Sequence, residues 1–412
     1  MSSLEFETSS FLFHKRSTTS PSQRVETEPT ILLHLPHEEE KVLHDFRHRI
    51  QHYQNVLPSS KNWEYYKKIV NPYEFVYTQK KYDSFPDSIC TLRPLSRSYF
   101  KMVEMLDQTA FLKGISSTMG SIKTAHVCEG PGGFIEAIFN EAAREDVAIQ
   151  VSIAMTLKPR QCTVPGWKRA AQFLKRHRNI KIIYGEDNTG DIMKPENQQY
   201  FIEYATHPHY GGKVDLFTAD GGFDFSSDYA RQEKMVFPLL LASTKIGLEV
   251  LKPGGTFVLK IFDFYYNATQ DLIYFLSCHF EEWTLYKPAM SRPCNPEHYF
   301  IGRGFVGCTD EILDVMRLWC SMMESNESVD SLLRMEYPEE FQGILAEMRT
   351  RSFRSQIRYL ERVFEMIECQ EEQIIHTSLT VNQQTSLEWC QRYHVPISES
   401  QTTMMTTMKA VE

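Results

Sequence analysis

The chain has 412 residues, a length that suits one large domain with accessory segments or two domains. Its hydrophobic content of 42% predicts a sizeable packed core, and its formal net charge of −9 argues against a protein that coats nucleic acid along its whole surface. The nine cysteines form no CxxC pair and no apolar run reaches the ~18 residues of a membrane span, so we expect no metal site, no membrane span and a reducing, intracellular location.

Hydrophobic periodicity divides the chain into three regions. Residues 1–30 are rich in Ser, Thr and Glu and predict a flexible N-terminal tail, and residues 38–57 have helical spacing. From residue 121 strands and helices alternate, which predicts an α/β fold with a doubly wound, mostly parallel sheet of seven strands. The strands are expected over residues 123–128, 147–154, 180–184, 214–220, 255–262, 283–286 and 299–305, the last two as an antiparallel hairpin at one edge.

Only helical patterns follow residue 308. Long helices are predicted over residues 312–323 and 341–366, and residues 402–408 have a composition typical of disorder. The predicted organisation is therefore a tail over residues 1–30, an α/β domain with a helical lead-in over residues 31–307, and a helical C-terminal extension over residues 308–412.

Three charged residues interrupt apolar strands at places where charge is costly to bury. Lys260 lies in the strand that begins at Gly255, Asp220 ends the strand that begins at Val214, and Glu297 opens the apolar run before Phe300. Carboxylates that flank a desolvated lysine tune its basicity, and groups tuned in this way cluster at catalytic sites. This pattern indicates an enzyme.

Loops at the carboxyl ends of the predicted strands supply candidate ligand contacts. The first strand is followed by Glu129, Gly130, Pro131, Gly132, Gly133 and Phe134. Glycines there allow a ligand to approach the backbone, although an ordinary tight turn would have the same composition. The spacing is neither that of a GxGxxG dinucleotide loop nor that of a phosphate-binding GxxxxGK[ST] loop. The next two strand ends contribute Thr156 and Asp191.

Taken together, these motifs resemble the FtsJ-type RNA ribose 2′-O-methyltransferases, and most closely the cap-specific mRNA branch, over residues 97–305. The resemblance implies a Rossmann-like fold that uses S-adenosylmethionine, and a Lys-Asp-Lys-Glu tetrad in which Asp220, Lys260 and Glu297 match the last three members. Lys101 fits the first position best, with Lys113 and Lys123 as alternatives. The candidate cofactor contacts are then the residues at the strand ends: Glu129, Gly130, Pro131, Gly132, Gly133, Phe134, Thr156, Asp191 and Asp220.

The resemblance also implies a reaction and a substrate. Lys260 is expected to act as the base for the 2′-hydroxyl. Burial and Lys101 are expected to lower its pKa, whereas Asp220 and Glu297 orient it and limit that fall. Capped mRNA bound in a local basic groove is the expected partner, and a loop over residues 224–231 with Asp224, Asp228 and Tyr229 is the candidate cap contact. The alternatives are a ribosomal or transfer RNA ribose methyltransferase and a catalytically inactive RNA-binding scaffold.

Several properties stay open at this level. The motifs combine features of enzymes that act on the first and on the second transcribed nucleotide. Either a nuclear or a cytoplasmic location is compatible with them, including a viral factory. The sequence does not identify what the C-terminal helices bind.

Overall fold

The structure is a computed structural model that describes most of the chain. The described residues are 12–17, 38–78, 82, 84–116, 120–159, 166–222, 232–324, 329, 331–333, 336–369 and 371–397. They form eight strands and twelve α-helices in the order given below.

A mixed sheet forms the centre of the fold, with the strand order β1-β7-β8-β6-β5-β2-β3-β4. The five strands β2 to β6 form the parallel part of the sheet, whereas β8 pairs antiparallel with both β6 and β7. The strands are β1 (His14–Lys15), β2 (Ser121–Val127), β3 (Ala148–Met155), β4 (Ile180–Ile183), β5 (Val214–Ala219), β6 (Leu251–Ile261), β7 (Phe280–Tyr286) and β8 (His298–Phe305).

The sheet confirms the predicted α/β class but has eight strands instead of seven. The additional strand is β1, in which His14 and Lys15 pair antiparallel with Trp283 and Glu282 of β7. This short segment lies within the tail predicted over residues 1–30, which stays a prediction for the remainder. A two-residue strand has no internal periodicity, so only its pairing with β7 reveals it.

Helices cover both faces of the sheet. On one face α7, α8, α9 and α10 enclose a core with Phe217 and Phe257, and on the other face α2, α3, α5, α11 and α12 enclose a second core with Phe100 and Tyr299. The helices are α1 (Glu38–Val56), α2 (Trp63–Ile69), α3 (Ser98–Thr109), α4 (Phe111–Ser116), α5 (Gly133–Arg144), α6 (Ala171–Arg176), α7 (Pro195–Thr206), α8 (Gln232–Val250), α9 (Asn267–Ser277), α10 (Asp310–Glu324), α11 (Glu339–Cys369) and α12 (Glu372–Arg392).

The C-terminal helices return to the α/β fold. Trp389 Nε1 of α12 donates to Glu104 Oε1 on α3 at 2.9 Å, and Asn382 Nδ2 donates to the carbonyl oxygen of Ile69 at 2.6 Å. The segment after α12 forms an isolated bridge between Ile397 and Cys90. The division at residue 308 stays a prediction, and these contacts place α12 in the same core as α2 and α3. Within the described ranges, no helix is long and apolar enough to cross a membrane.

Two features of this topology locate the functional site. The sheet order reverses at β2, which has β5 on one side and β3 on the other. In open α/β sheets ligands bind outside the carboxyl ends of the strands at such a reversal. Glu129–Phe134, Thr156, Asp191 and Asp220 follow the carboxyl ends of strands at this edge, and Lys260 lies near the end of β6.

Candidate active site

Lys260 and Asp220 meet because their strands are neighbours in register. Leu259 of β6 is paired with Ala219 of β5, so the residues that follow lie side by side at the carboxyl edge. Lys260 Nζ lies 3.1 Å from Asp220 Oδ1 and donates to the Asp220 carbonyl oxygen at 2.8 Å. Both side chains are largely buried. The backbone carbonyl group and the carboxylate of Asp220 thus fix the ammonium group of Lys260.

Lys101 and Glu297 form the second ion pair of the cluster. Lys101 projects from α3, and Glu297 immediately precedes β8; Lys101 Nζ lies 2.5 Å from Glu297 Oε1. The two alternatives for the first lysine lie elsewhere. Lys113 is exposed and pairs with Asp107 at 3.3 Å, and Lys123 at the start of β2 donates to the carbonyl oxygens of a loop at the opposite edge. The geometry therefore favours Lys101.

The pKa of Lys260 is raised, which contradicts the lowered value expected from the sequence. Burial lowers this pKa, but the carboxylates of Asp220 and Glu297 raise it by more. The pKa of Glu297 is lowered to about 2, because the attraction of Lys101 and Lys260 outweighs the effect of its burial. The sequence-based expectation gave burial too much weight, since it had no distances for the carboxylates.

Tyr299 is a member of the cluster that the sequence interpretation missed. Its hydroxyl donates to Asp220 Oδ1 at 2.8 Å, and Lys101 Nζ lies 5.9 Å from its ring centroid. Tyr299 of β8 is directly opposite Lys260 of β6, so both side chains leave the sheet on the same face. The available signal was its position two residues after Glu297 in a strand predicted to be antiparallel.

The glycine loop after β2 is tightly packed. Gly132 has φ +104°, and a Cβ atom there would lie 3.1 Å from the ring of Trp167. A Cβ atom on Gly133 would lie 2.2 Å from Ser96 Oγ, so α5 begins at a residue that must be glycine. Gly130 and Pro131, which precede these packed positions, remain partly exposed. The loop therefore offers backbone, and little side chain, to its open side.

Phe134 differs from the other residues of the loop. Its side chain is only 1% exposed and packs against Tyr299 with 5.8 Å between ring centroids. Its side chain is thus part of the core under the tetrad, and the predicted contact with a cofactor does not follow from its surroundings.

The loops after β3 and β4 close on each other beside the glycine loop. The Gly130 N–H donates to Thr156 Oγ1 at 3.4 Å, and a Cβ atom on Gly190 would lie 2.0 Å from the Thr156 carbonyl oxygen. Asp191 follows Gly190 and accepts a hydrogen bond from the Met193 N–H through Oδ1 at 3.0 Å. Thr156 and Asp191 consequently share the edge occupied by the glycine loop.

Comparison with known proteins identifies the family. A family model described as FtsJ-like methyltransferase matches residues 94–305, half of the chain. The chain belongs to the FtsJ-like methyltransferase family. This membership confirms the predicted resemblance and the methyltransferase class, for which S-adenosylmethionine is the methyl donor.

Individual relatives are similar over more of the chain. A cap-specific mRNA (nucleoside-2′-O-)-methyltransferase 2 from Danio rerio is 29% identical over 70% of this chain and 39% of its own length. A cap-specific mRNA (nucleoside-2′-O-)-methyltransferase 1 from Dictyostelium discoideum is 30% identical over 65% of this chain and 37% of its own. The chain thus spans less than two fifths of the length of these relatives. Among solved structures, a putative ribosomal RNA methyltransferase from Plasmodium falciparum gives a TM-score of 0.36 at 17% identity, covering 52% of this chain and all of that one.

Glu129 provides a test of whether the FtsJ-like site fits its methyl donor. The carboxyl group is buried, and its Oε1 accepts a hydrogen bond from the Thr218 hydroxyl. Its Oε2 has no hydrogen-bond partner among the described residues, with His126 Nδ1 3.8 Å away. Burial raises the pKa of this carboxyl group. A buried acceptor beside an open glycine loop fits an amino acid ammonium or ribose hydroxyl group of S-adenosylmethionine.

One buried carboxylate, that of Glu74, draws together three cations near the FtsJ-like site. Glu74 lies 3.4 Å from Arg292, 3.7 Å from Arg97 and 3.8 Å from Lys68. These cations link the segment before β8 to the helical lead-in, and the basic groove for RNA stays a prediction. The candidate cap contacts Asp224, Asp228 and Tyr229 lie outside the described residues. Across the described part of the chain, His, Cys, Asp and Glu side chains form no group suited to hold a metal ion.

Proposed function

We propose that the chain transfers the methyl group of S-adenosylmethionine to the ribose 2′-hydroxyl of a cap-proximal nucleotide of mRNA. The convergence of the Lys260–Asp220 and Lys101–Glu297 ion pairs beside the glycine loop carries the proposal. The names of the relatives, which specify capped mRNA, support the choice of substrate.

The residues around the glycine loop would hold the methyl donor. The backbone of Gly130, Pro131, Gly132 and Gly133 would line it, and Glu129 Oε2 would accept from one of its polar groups. Thr156 and Asp191 lie at the same edge and would contact it from the neighbouring strands. When bound, S-adenosylmethionine supplies a methyl group on a sulfonium, a good leaving group.

Lys260 then has one task, the removal of a proton. The ribose 2′-hydroxyl is a poor nucleophile, so the new oxygen–carbon bond forms as Lys260 Nζ accepts the hydroxyl proton. A neutral amine has two N–H donors and one lone pair. The carbonyl oxygen and Oδ1 of Asp220, at 2.8 and 3.1 Å from Lys260 Nζ, match the two donors. The lone pair is then left for the substrate hydroxyl. Asp220 therefore orients the base.

Lys101 and Glu297 complete the electrostatics. Glu297 is held ionised by Lys101 and raises the pKa of Lys260, which strengthens Lys260 as a base once it has lost its own proton. Because the four groups interact closely, the observed titration belongs to the cluster. Alignment of the hydroxyl with the methyl group contributes further to the rate.

The experiment that tests this function compares short RNAs that differ only at the 5′ end: a methylated cap, an unmethylated cap and a triphosphate. We expect methyl transfer to depend on the cap, with the product mapped by nuclease digestion to the ribose of the first or second nucleotide. Equal transfer to all three RNAs would favour a general RNA ribose methyltransferase. Binding of RNA and S-adenosylmethionine without transfer would indicate an inactive scaffold.

A further inference from the structure

A second buried lysine lies directly behind Glu297. Lys287 follows the last residue of β7, and its Nζ donates to the carbonyl oxygens of Asn295 at 2.5 Å and of Glu297 at 3.1 Å. Its ammonium group thus holds the backbone of the residue whose carboxylate binds Lys101. Neither the tetrad nor the cofactor contacts include Lys287.

The same connection between β7 and β8 is fixed at its other end by α3. Glu104 accepts from the N–H groups of Ala289 at 2.7 Å and Met290 at 2.8 Å. Glu104 lies one helical turn after Lys101 on α3. Helix α3 therefore holds the start of the connection through Glu104 and pairs with Glu297 through Lys101. A connection anchored at both ends presents Glu297 in one fixed position relative to Lys101.

The surroundings of Lys287 make its buried positive charge costly. Burial lowers the pKa of Lys287 to about 8, while Glu297 raises it and Lys101 lowers it. Cys294 and Asp263 also act on it, and Lys287 in turn lowers the pKa of His298. A lysine kept in such a costly place is stabilised by the two carbonyl groups and by the charge of Glu297.

We propose that Lys287 is a positioning residue of the active site, which sets the backbone of Glu297 so that its carboxylate reaches Lys101 and acts on Lys260. This inference deepens the proposed function and rests on it. Lys287 contacts neither the donor nor the RNA in this scheme. It acts through Glu297 alone, and this distinguishes it from a general stabilising residue.

Lys123 provides a matched control. It too is a buried lysine whose Nζ donates to two backbone carbonyl groups, those of Gly212 and Lys213, and burial lowers its pKa. It lies at the start of β2, at the edge of the sheet opposite to the active site. Lys123→Met therefore reproduces the loss of a buried lysine without touching the tetrad.

The variants to compare are Lys287→Met, Lys287→Gln, which keeps an N–H donor, Glu297→Gln, the double variant Lys287→Met/Glu297→Gln, and Lys123→Met. The variants are compared at a pH above the alkaline limb, where Lys260 is deprotonated in all of them. There we expect Lys287→Met to lower kcat roughly 10- to 100-fold with little change in the KM for S-adenosylmethionine, because misplacement of a catalytic group has effects of that size. Lys287→Gln should retain more activity. The double variant should be no slower than Glu297→Gln, since Lys287 acts through Glu297.

A titration of [13Cε]lysine-labelled protein by NMR decides the inference independently of turnover. Loss of a neighbouring positive charge would by itself raise the pKa of Lys260, whereas withdrawal of the Glu297 carboxylate would lower it. We expect a lowered Lys260 pKa in Lys287→Met and in Glu297→Gln, and an unchanged one in Lys123→Met.

Several outcomes would overturn the inference: additive losses in the double variant, an unchanged or raised Lys260 pKa in Lys287→Met, or an activity loss that matches Lys123→Met at equal thermal stability. If Lys287→Met does not fold, Lys287→Gln is judged by the same criteria. An inactive wild type would contradict the proposed function, and the titration would still show whether Lys287 positions Glu297.

Discussion

Lys123 and Lys260 are both buried lysines in the parallel part of one sheet, yet their pKa values move in opposite directions. At the amino edge burial lowers the pKa of Lys123, even though Asp215 is near. At the carboxyl edge burial also acts on Lys260, but two carboxylates outweigh it and the pKa is raised. Burial alone therefore does not determine the direction of the shift.

The difference lies in how many carboxylates act on each ammonium group. Asp215 raises the pKa of Lys123, but Lys252, which forms an ion pair with Asp215, lowers it, and burial outweighs the attraction. Asp220 gives two acceptors to Lys260, and Glu297 adds a second negative charge. One edge of the sheet thus holds a structural lysine, and the other holds a lysine whose charge is controlled by its neighbours.

The largest effect that separates the two edges is expected from Lys260→Ala. Removal of the base should abolish methyl transfer while S-adenosylmethionine affinity stays within a few-fold of wild type, since Lys260 is not among the residues proposed to hold the donor. Transfer assays and calorimetry measure the two quantities, with Lys123→Met as the control. More than about a tenth of the wild-type activity would be too much for a lost base, which typically contributes ~10²–10⁴-fold.

The next effect concerns the cofactor at the same edge. Gly132→Leu should weaken S-adenosylmethionine binding, because its side chain would meet Trp167 and intrude where the backbone faces the donor. Gly254→Leu is the control, since Gly254 also has a positive φ, +79°, but nothing lies within 4 Å of its Cβ position. Both variants carry backbone strain, so only the first should lose affinity. Unchanged affinity in folded Gly132→Leu would refute the assignment of the loop.

Sequence patterns predicted much of the carboxyl edge and less of its electrostatics. Asp220 and Lys260 were predictable because each places a charge in or at the end of an apolar strand, and the parallel character of the sheet follows from the alternation of strands with helices. Tyr299 and Lys287 were not, because each acts through a partner that is distant in sequence and visible only in the folded sheet. The two-residue strand β1 and the return of α12 onto α3 depend on tertiary contacts in the same way.

A smaller effect is expected when Tyr299 is changed to Phe. The variant removes the 2.8 Å hydrogen bond to Asp220, leaves that carboxylate less neutralised and so raises the Lys260 pKa further. At neutral pH less free base is then present, and kcat/KM should fall about tenfold, as for a hydrogen bond to a charged group. Tyr204→Phe, which removes a hydroxyl paired with Tyr210 on another part of the fold, should leave kcat/KM unchanged. Equal effects of both changes would argue against a role for Tyr299.

The most direct test of the account is the pH dependence of kcat/KM with both substrates below saturation, which reports the ionisation of the free enzyme. Lys260 must be deprotonated to act and its pKa is raised, so log kcat/KM should increase with pH from neutrality into the alkaline range. Glu297→Gln removes a negative charge that raises this pKa, so the same limb should move to lower pH. A flat profile in the wild type, or a limb that Glu297→Gln leaves in place, would contradict the assignment of Lys260 as a base controlled by its carboxylates.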